Sequence, residues 1–198
     1  GSGGDTLTVT SLVLAANTDL IIDGEEGTDT VALDASGLLI TDTLSITAET
    51  IDQDQAVTVN GATDLVAGTG SITLTQENDF QGTVTLSNAA GGAVAVRDKD
   101  EIILAASTIG GTLDVTAVGM TVSGDVTTGQ TAAGANTLDA GSGRFQNTAA
   151  VDVGTGGSLT VIADTVDIQN TLTGDAGITL QPSTLTPTIA LGGVDGPG

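Results

Sequence analysis

Three related stretches recur in the sequence: Leu44-Ser45-Ile46-Thr47-Ala48, Leu113-Asp114-Val115-Thr116-Ala117 and Leu159-Thr160-Val161-Ile162-Ala163. Counted from each leucine, apolar residues fall at offsets 0, 2, 4, 7 and 13 in all three copies. The alternation at offsets 0, 2 and 4 is the two-residue period of a β-strand with one buried face. The later offsets add two short strands separated by corners. The pattern predicts one turn of a three-sided β-solenoid.

The spacing of the three copies predicts the length of a coil. They begin 69 and 46 residues apart, and both distances are multiples of 23. A coil of about 23 residues lies within the range of known repeat periods. The three copies are therefore interpreted as equivalent turns of one stack. Offset 9 is an exception, because it is Val122 and Ile168 in the later copies but Gln53 in the first.

Short alternating segments also occur along the rest of the chain, and none shows a sustained helical period of 3.6 residues. The predicted strands are Leu7–Val9, Val31–Leu33, Leu44–Ile46, Val57–Val59, Ile72–Leu74, Val84–Leu86, Val94–Val96, Leu113–Val115, Val151–Val153, Leu159–Val161, Ile178–Leu180 and Ile189–Leu191. The fold class is therefore all-β. The alternative is an antiparallel sandwich or barrel, which would favour aromatic anchors in a thick core. Phe80 and Phe145 are the only aromatic residues, and this favours a solenoid of about eight or nine coils.

The composition excludes several classes of chemistry. The chain has 198 residues, with no Cys and no His, so it has neither disulfide bonds nor a thiolate or imidazole site. It has 25 acidic and 3 basic residues, and a net charge of -22 disfavours nucleic acid and anionic membranes as partners. No apolar run is long enough to span a bilayer, so we expect no membrane insertion.

The domain organisation follows from where the strand pattern begins and ends. Residues 1–5 are expected to be a linker or an expression scar. Residues 6–192 are expected to form a single solenoid segment, and residues 193–198 a flexible C-terminal tail.

Part of the chain resembles a family of bacterial proteins. The segments Asn78–Asn88, Ala105–Ala117, Gly177–Pro182 and Pro187–Gly192 are similar to the degenerate repeats of filamentous-haemagglutinin-like and other giant β-strand-repeat surface proteins. The resemblance covers most of residues 40 to 192. It implies a right-handed parallel β-helix, secreted and held at the bacterial cell surface, that serves in adhesion or as a stalk or filament. It supplies no catalytic residues.

Two acidic clusters are candidates for an ion site. Asp23, Glu25, Glu26 and Asp29 lie in a Gly-bounded loop. The second cluster, residues 98–101, contains Asp98, Asp100 and Glu101 beside Arg97 and Lys99. Calcium requires six to eight oxygen ligands, which clustered carboxylates and turn carbonyls can provide. Neither cluster has the spacing of an EF-hand, so we interpret both as solvated acidic corners, with a calcium site as the alternative.

Three further patterns favour structure over function. Asp52 and Asp54 share one strand face, and without Trp, Tyr or His a glycosidase site is disfavoured. The Thr-x-Thr pairs do not return at a constant period, so an ice-binding lattice is disfavoured; they are Thr6/Thr8/Thr10, Thr73/Thr75, Thr83/Thr85 and Thr171/Thr173. The Gly-rich stretches lack the Lys of a phosphate-binding loop and are read as corners.

The function predicted from these observations is a structural or interaction segment of a secreted bacterial surface adhesin or filament, acting as a rigid acidic β-helical stalk. It is not expected to be an enzyme, and no catalytic, cofactor-binding or metal-ligating residue is assigned. The expected partners are other copies or flanking β-helix coils of the same protein, with host or cell-surface glycans or proteins beyond them. The alternative is a calcium-dependent or glycan-binding β-solenoid module.

Overall fold

The computed structural model describes residues 3–88, 92–129 and 134–184. These residues contain 23 β-strands and no helix. The predicted strand Ile189–Leu191, the similar segment Pro187–Gly192 and the predicted tail 193–198 lie outside the described residues.

In chain order the strands are β1 (Thr6–Val9), β2 (Leu20–Asp23), β3 (Thr30–Leu33), β4 (Leu38–Ile40), β5 (Leu44–Ala48), β6 (Thr50–Gln53), β7 (Val57–Val59), β8 (Thr63–Ala67), β9 (Ile72–Phe80), β10 (Thr83–Asn88), β11 (Val94–Asp98), β12 (Ile102–Leu104), β13 (Ser107–Ile109), β14 (Leu113–Thr116), β15 (Met120–Val122), β16 (Val126–Thr127), β17 (Ala135–Asp139), β18 (Arg144–Asn147), β19 (Val151–Asp152), β20 (Ser158–Ile162), β21 (Thr165–Ile168), β22 (Leu172–Thr173) and β23 (Gly177–Gln181). Each of the other eleven predicted segments overlaps one of these strands.

The described strands pair in parallel, each with a strand about one coil away. Sheet A contains β1, β3, β6, β9, β11, β14, β17, β20 and β23 in that order. Sheet B begins with β2, β5, β8 and β10, and sheet C contains β4, β7 and the end of β9. The predicted β-solenoid is confirmed, and the antiparallel sandwich is not observed.

The coils differ in length, which corrects the predicted constant period. Val94 pairs with Leu113, 19 residues further on, whereas Leu7 pairs with Val31, 24 residues further on. The strands keep their register, so the extra residues are accommodated in the corners.

The assignment of Leu44 to the same side of the solenoid as Leu113 and Leu159 is wrong. Leu113 and Leu159 both lie in sheet A, two coils apart, as their alignment predicts. Leu44 lies on β5 in sheet B. All three sides of a coil carry the same short apolar alternation, so a local match finds a turn without identifying which side it begins on.

The core consists of aliphatic columns that run through the stack. In sheet A one column is formed by inward-facing residues in register on successive strands: Leu74, Val96, Val115, Leu138, Val161 and Leu180. The members from Leu74 to Val161 are at most 2% exposed. Leu113, Val115, Leu159 and Val161 point inward as predicted. Removal of this apolar surface from water is the main stabilising contribution.

The cross-section of the solenoid changes in the middle of the chain. The six-residue strand β10 pairs with β8 on one side, and on the other with both β12 and β13. From there sheet B continues as two branches, β12-β15-β18-β21 and β13-β16-β19-β22. Sheet C has its last described strand segment in β9, where the register with β11 shifts between Val96 and Asp98.

Glycine is required at two types of corner. Gly154 has φ of 69°, a left-handed conformation that costs a residue with a Cβ atom free energy. At Gly92 a Cβ atom would lie 1.5 Å from the Gly70 carbonyl oxygen of the preceding coil, so only glycine fits. These positions confirm that the Gly-rich stretches are corners.

The column in sheet A generates a test of the register. Val115→Asp places an unpaired charge at a side chain that is 0% exposed, and we expect loss of cooperative unfolding, at a cost of about 4 kcal/mol or more. Thr160→Asp, on the outward face of β20, is the matched control and should change stability by about 0.5 kcal/mol or less. Circular dichroism melts measure both. A Val115→Asp protein that melts like the control would show that this register is wrong.

Candidate functional site

Polar side chains at the corners bond the backbone of neighbouring coils. The Ser107 hydroxyl accepts a hydrogen bond from the Leu86 amide at 3.0 Å. The Asn136 Oδ1 atom accepts one from the Leu113 amide at 2.9 Å. Buried backbone groups must be paired, and side chains complete the pairing where the strand ladder is interrupted. Buried polar residues in the corners therefore have a structural role by default.

Gln53, the exception in the sequence pattern, belongs to such a pair. Its Nε2 atom donates to Asn78 Oδ1 at 2.9 Å, and Asn78 Nδ2 donates to Gln53 Oε1 at 2.8 Å. Asn78 also accepts from the Val57 amide at 3.0 Å and donates to the Arg97 carbonyl at 3.0 Å. The pair joins three successive coils and leaves neither amide group unsatisfied.

The second acidic cluster, residues 98–101, does not form an ion site. Asp98 is 2% exposed, and its two carboxylate oxygens accept from the amides of Phe80 at 2.7 Å and Asp100 at 2.8 Å. Glu101 accepts from the Thr121 hydroxyl at 2.9 Å. Burial raises the pKa of Asp98 above its usual value, although the two amide hydrogen bonds partly oppose this.

The three basic residues are all paired with acidic side chains. Arg97 contacts Glu77 at 3.0 Å, and Lys99 contacts Asp79 at 3.4 Å and Asp100. The hydrogen bond to Asp100 raises the pKa of Lys99. Arg144 pairs with Asp167, and its hydrogen bond lowers the pKa of that carboxyl group. The chain therefore has no unpaired cation with which to bind an anionic ligand.

The other sequence candidates lie on the surface. Asp52 and Asp54 are both exposed at the end of β6, where the Asp54 amide donates to Asp34 at 3.2 Å. Thr8 and Thr73 share a column of sheet A, but Ala32 and Asp52 lie between them. The column of threonines is interrupted, so the outward face is not a regular lattice.

An acidic pocket lies at the first coil, between β1, β2 and the start of β3. It has a volume of about 260 Å³, and its lining includes Asp5, Asp23, Glu25 and Asp29. This pocket contains most of the first predicted cluster. Asp29 is buried, whereas Asp23 and Glu25 are exposed. The sequence predicted the cluster but did not identify Asp29 as its buried member.

Two searches of the described residues found no further site. No group of three or more acidic side chains there converges closely enough to hold a metal ion without other ligands. The same residues contain no helix that is long and apolar enough to cross a membrane.

The parallel coils, aliphatic columns and corner hydrogen bonds define this protein as a β-solenoid repeat protein. Residues 18–87 and 91–148 match a family described as repeats of unknown function (DUF5649), and the chain belongs to this family. The solenoid continues past the second match, through β19 to β23. No curated protein and no solved structure matches the chain. These comparisons do not link it to filamentous-haemagglutinin-like proteins, so that resemblance stays a prediction.

The raised pKa of Asp98 generates a prediction about pH. A folded-state pKa above the unfolded value means that the folded protein binds the proton more tightly. The charge on Asp98 therefore lowers stability at pH 7, and this effect disappears as the pH falls through the folded pKa. Lowering the pH from 7 to about 4.5 should raise the melting temperature of the wild type relative to Asp98→Asn.

The comparison uses the change with pH, because loss of one acceptor in Asp98→Asn offsets its stability equally at every pH. Asp64→Asn, at an exposed position of β8, controls for removal of one negative charge. A difference between wild type and Asp98→Asn that does not change with pH would contradict the assignment.

Proposed function

We propose that this chain is a structural repeat segment of a secreted bacterial surface adhesin or filament, and that it acts there as a rigid acidic spacer. The observation that carries the proposal is the uninterrupted apolar column from Leu74 to Leu180 in sheet A. Nine sheet-A strands at a spacing of about 4.8 Å make a rod about 40 Å long. Such a stack adds length with each repeat while each coil contacts only its neighbours.

The corner hydrogen bonds support rigidity. The Gln53–Asn78 pair and the Asp98 carboxylate each connect successive coils inside the stack. Bending the rod at these corners would break buried hydrogen bonds, which is costly in a low-dielectric interior.

The surface charge supports the spacer role. With the three cations already paired, most of the 25 acidic side chains face solvent without a positive partner. Like charge keeps the exposed β surfaces of neighbouring molecules apart and keeps the rod soluble.

The proposed partners are other copies or flanking coils of the same protein. Leu7 and Ile178, on the first and last strands of sheet A, are 47% and 41% exposed. A further coil stacked on either strand would cover this apolar surface and continue the sheet.

The proposed location at the bacterial surface is supported by the resemblance of residues 40 to 192 to surface-protein repeats. Antibodies raised against the purified chain should label intact cells of the source organism, and protease added outside should remove the signal. A cytoplasmic protein serves as the control for cell integrity. Labelling that requires permeabilised cells would contradict this location.

A spacer made of equivalent coils predicts that one whole coil can be removed. Asn136 pairs with Leu159, so deletion of residues 136–158 joins Ala135 to Leu159 and brings β14 into register with β20. The shortened protein should still unfold cooperatively and should be shorter by about 4.8 Å. Deletion of residues 136–147 removes fewer residues but half a coil, and it should abolish cooperative unfolding.

Small-angle scattering and thermal melts measure both deletions, and scattering at low and high salt also reports whether copies stack end to end. Equal damage by the two deletions would contradict a modular spacer. Equal tolerance would show that these coils are not part of the cooperative stack.

A further inference from the structure

One buried carboxylate oxygen in the acidic pocket has no hydrogen-bond partner. Asp29 is 3% exposed, and its Oδ1 atom accepts from the Asp5 amide at 2.8 Å. Its Oδ2 atom is buried and unpartnered. A buried charged oxygen without a donor is strongly unfavourable, so this atom requires a ligand from solution.

The surrounding backbone holds Asp29 in place. Its amide donates to Glu49 Oε2 at 2.7 Å, and its carbonyl oxygen accepts from the amides of Glu49 and Thr50 at 3.1 and 3.0 Å. These contacts anchor the residue on both sides of its Cα atom. The carboxylate therefore cannot leave the pocket without breaking the pairing between successive coils.

The pocket has space beside the unpartnered oxygen. At Gly24 a Cβ atom would lie 3.0 Å from Asp29 Oδ2, so the glycine leaves this side of the oxygen open. Asp23 and Glu25 line the same pocket, and the Asp23 Oδ1 atom accepts from the Glu25 amide at 3.0 Å. Oxygen donors surround the space, and the basic residues of the chain are all paired elsewhere.

We propose that this pocket binds a calcium ion through Asp29 Oδ2, with carboxylate or carbonyl oxygens of the loop from Asp23 to Glu25 and with water. Calcium accepts an irregular shell of six to eight oxygens, whereas magnesium requires a near-ideal octahedron. Because no three acidic side chains converge in the described residues, water and carbonyl groups must supply most of the shell. A site of this kind binds weakly, with a Kd of about 10⁻⁴ to 10⁻³ M.

The proposal does not depend on the spacer role, and calcium alone is the probe. Calcium chloride is titrated into the full chain in about 0.15 M NaCl, which screens non-specific attraction to the net negative charge. At about 10 mM calcium the melting temperature of the wild type should rise by about 2–5 °C. Isothermal titration calorimetry should give one saturable site, and magnesium should produce a smaller response.

Three variants locate the site. Asp29→Asn should abolish the saturable heat and the rise in melting temperature. Asp175→Asn removes the same charge from an exposed turn at the other end of the rod, and it should respond to calcium like the wild type. Gly24→Ala keeps every carboxylate but crowds Asp29 Oδ2, and it should weaken binding at least tenfold. If Asp29→Asn does not fold, Gly24→Ala decides the result.

Two results would overturn the proposal. No saturable heat and no stabilisation up to about 10 mM calcium would mean that water alone occupies the pocket. An equal calcium response in the wild type, Asp29→Asn, Gly24→Ala and Asp175→Asn would mean that calcium only screens the overall charge.

Discussion

Parallel backbone pairing between one coil and the next is the constraint on which the rest of this structure depends. Side chains alternate between the two faces of a strand, so a slip of one residue would turn a core column toward solvent. The pairing of Val96 with Val115, and of Leu138 with Val161, keeps the same face inward along the rod. Differences in coil length are tolerated because they fall in the corners, where no such alternation has to be maintained.

The corners carry the cost of this arrangement, since the chain turns there and the ladder is interrupted. Ser107, Asn136 and Gln53 place hydrogen-bonding groups inside the stack at such points, and each bonds a group from a neighbouring coil. Polar residues in an otherwise aliphatic interior are therefore part of what keeps the coils in register.

The two buried aspartates show how similar residues can differ in role. Asp98 and Asp29 are almost equally buried, and each accepts a backbone amide from a neighbouring coil. Both oxygens of Asp98 are satisfied, so its role is complete within the chain. One oxygen of Asp29 is not, and it lines a solvent-accessible pocket. This difference separates a structural corner from a candidate binding site.

The β-class, most of the strands and the corner glycines could be predicted from local pattern, because alternation and turn residues act over a few positions. The equivalence of Leu113 and Leu159 was also predictable, since both intervening coils span 23 residues. The side occupied by Leu44, the branching of sheet B after β10 and the burial of Asp29 within its acidic loop were decided only by tertiary structure. They depend on which residues meet one coil away, and that distance is set by corner lengths that leave no periodic signal in the sequence.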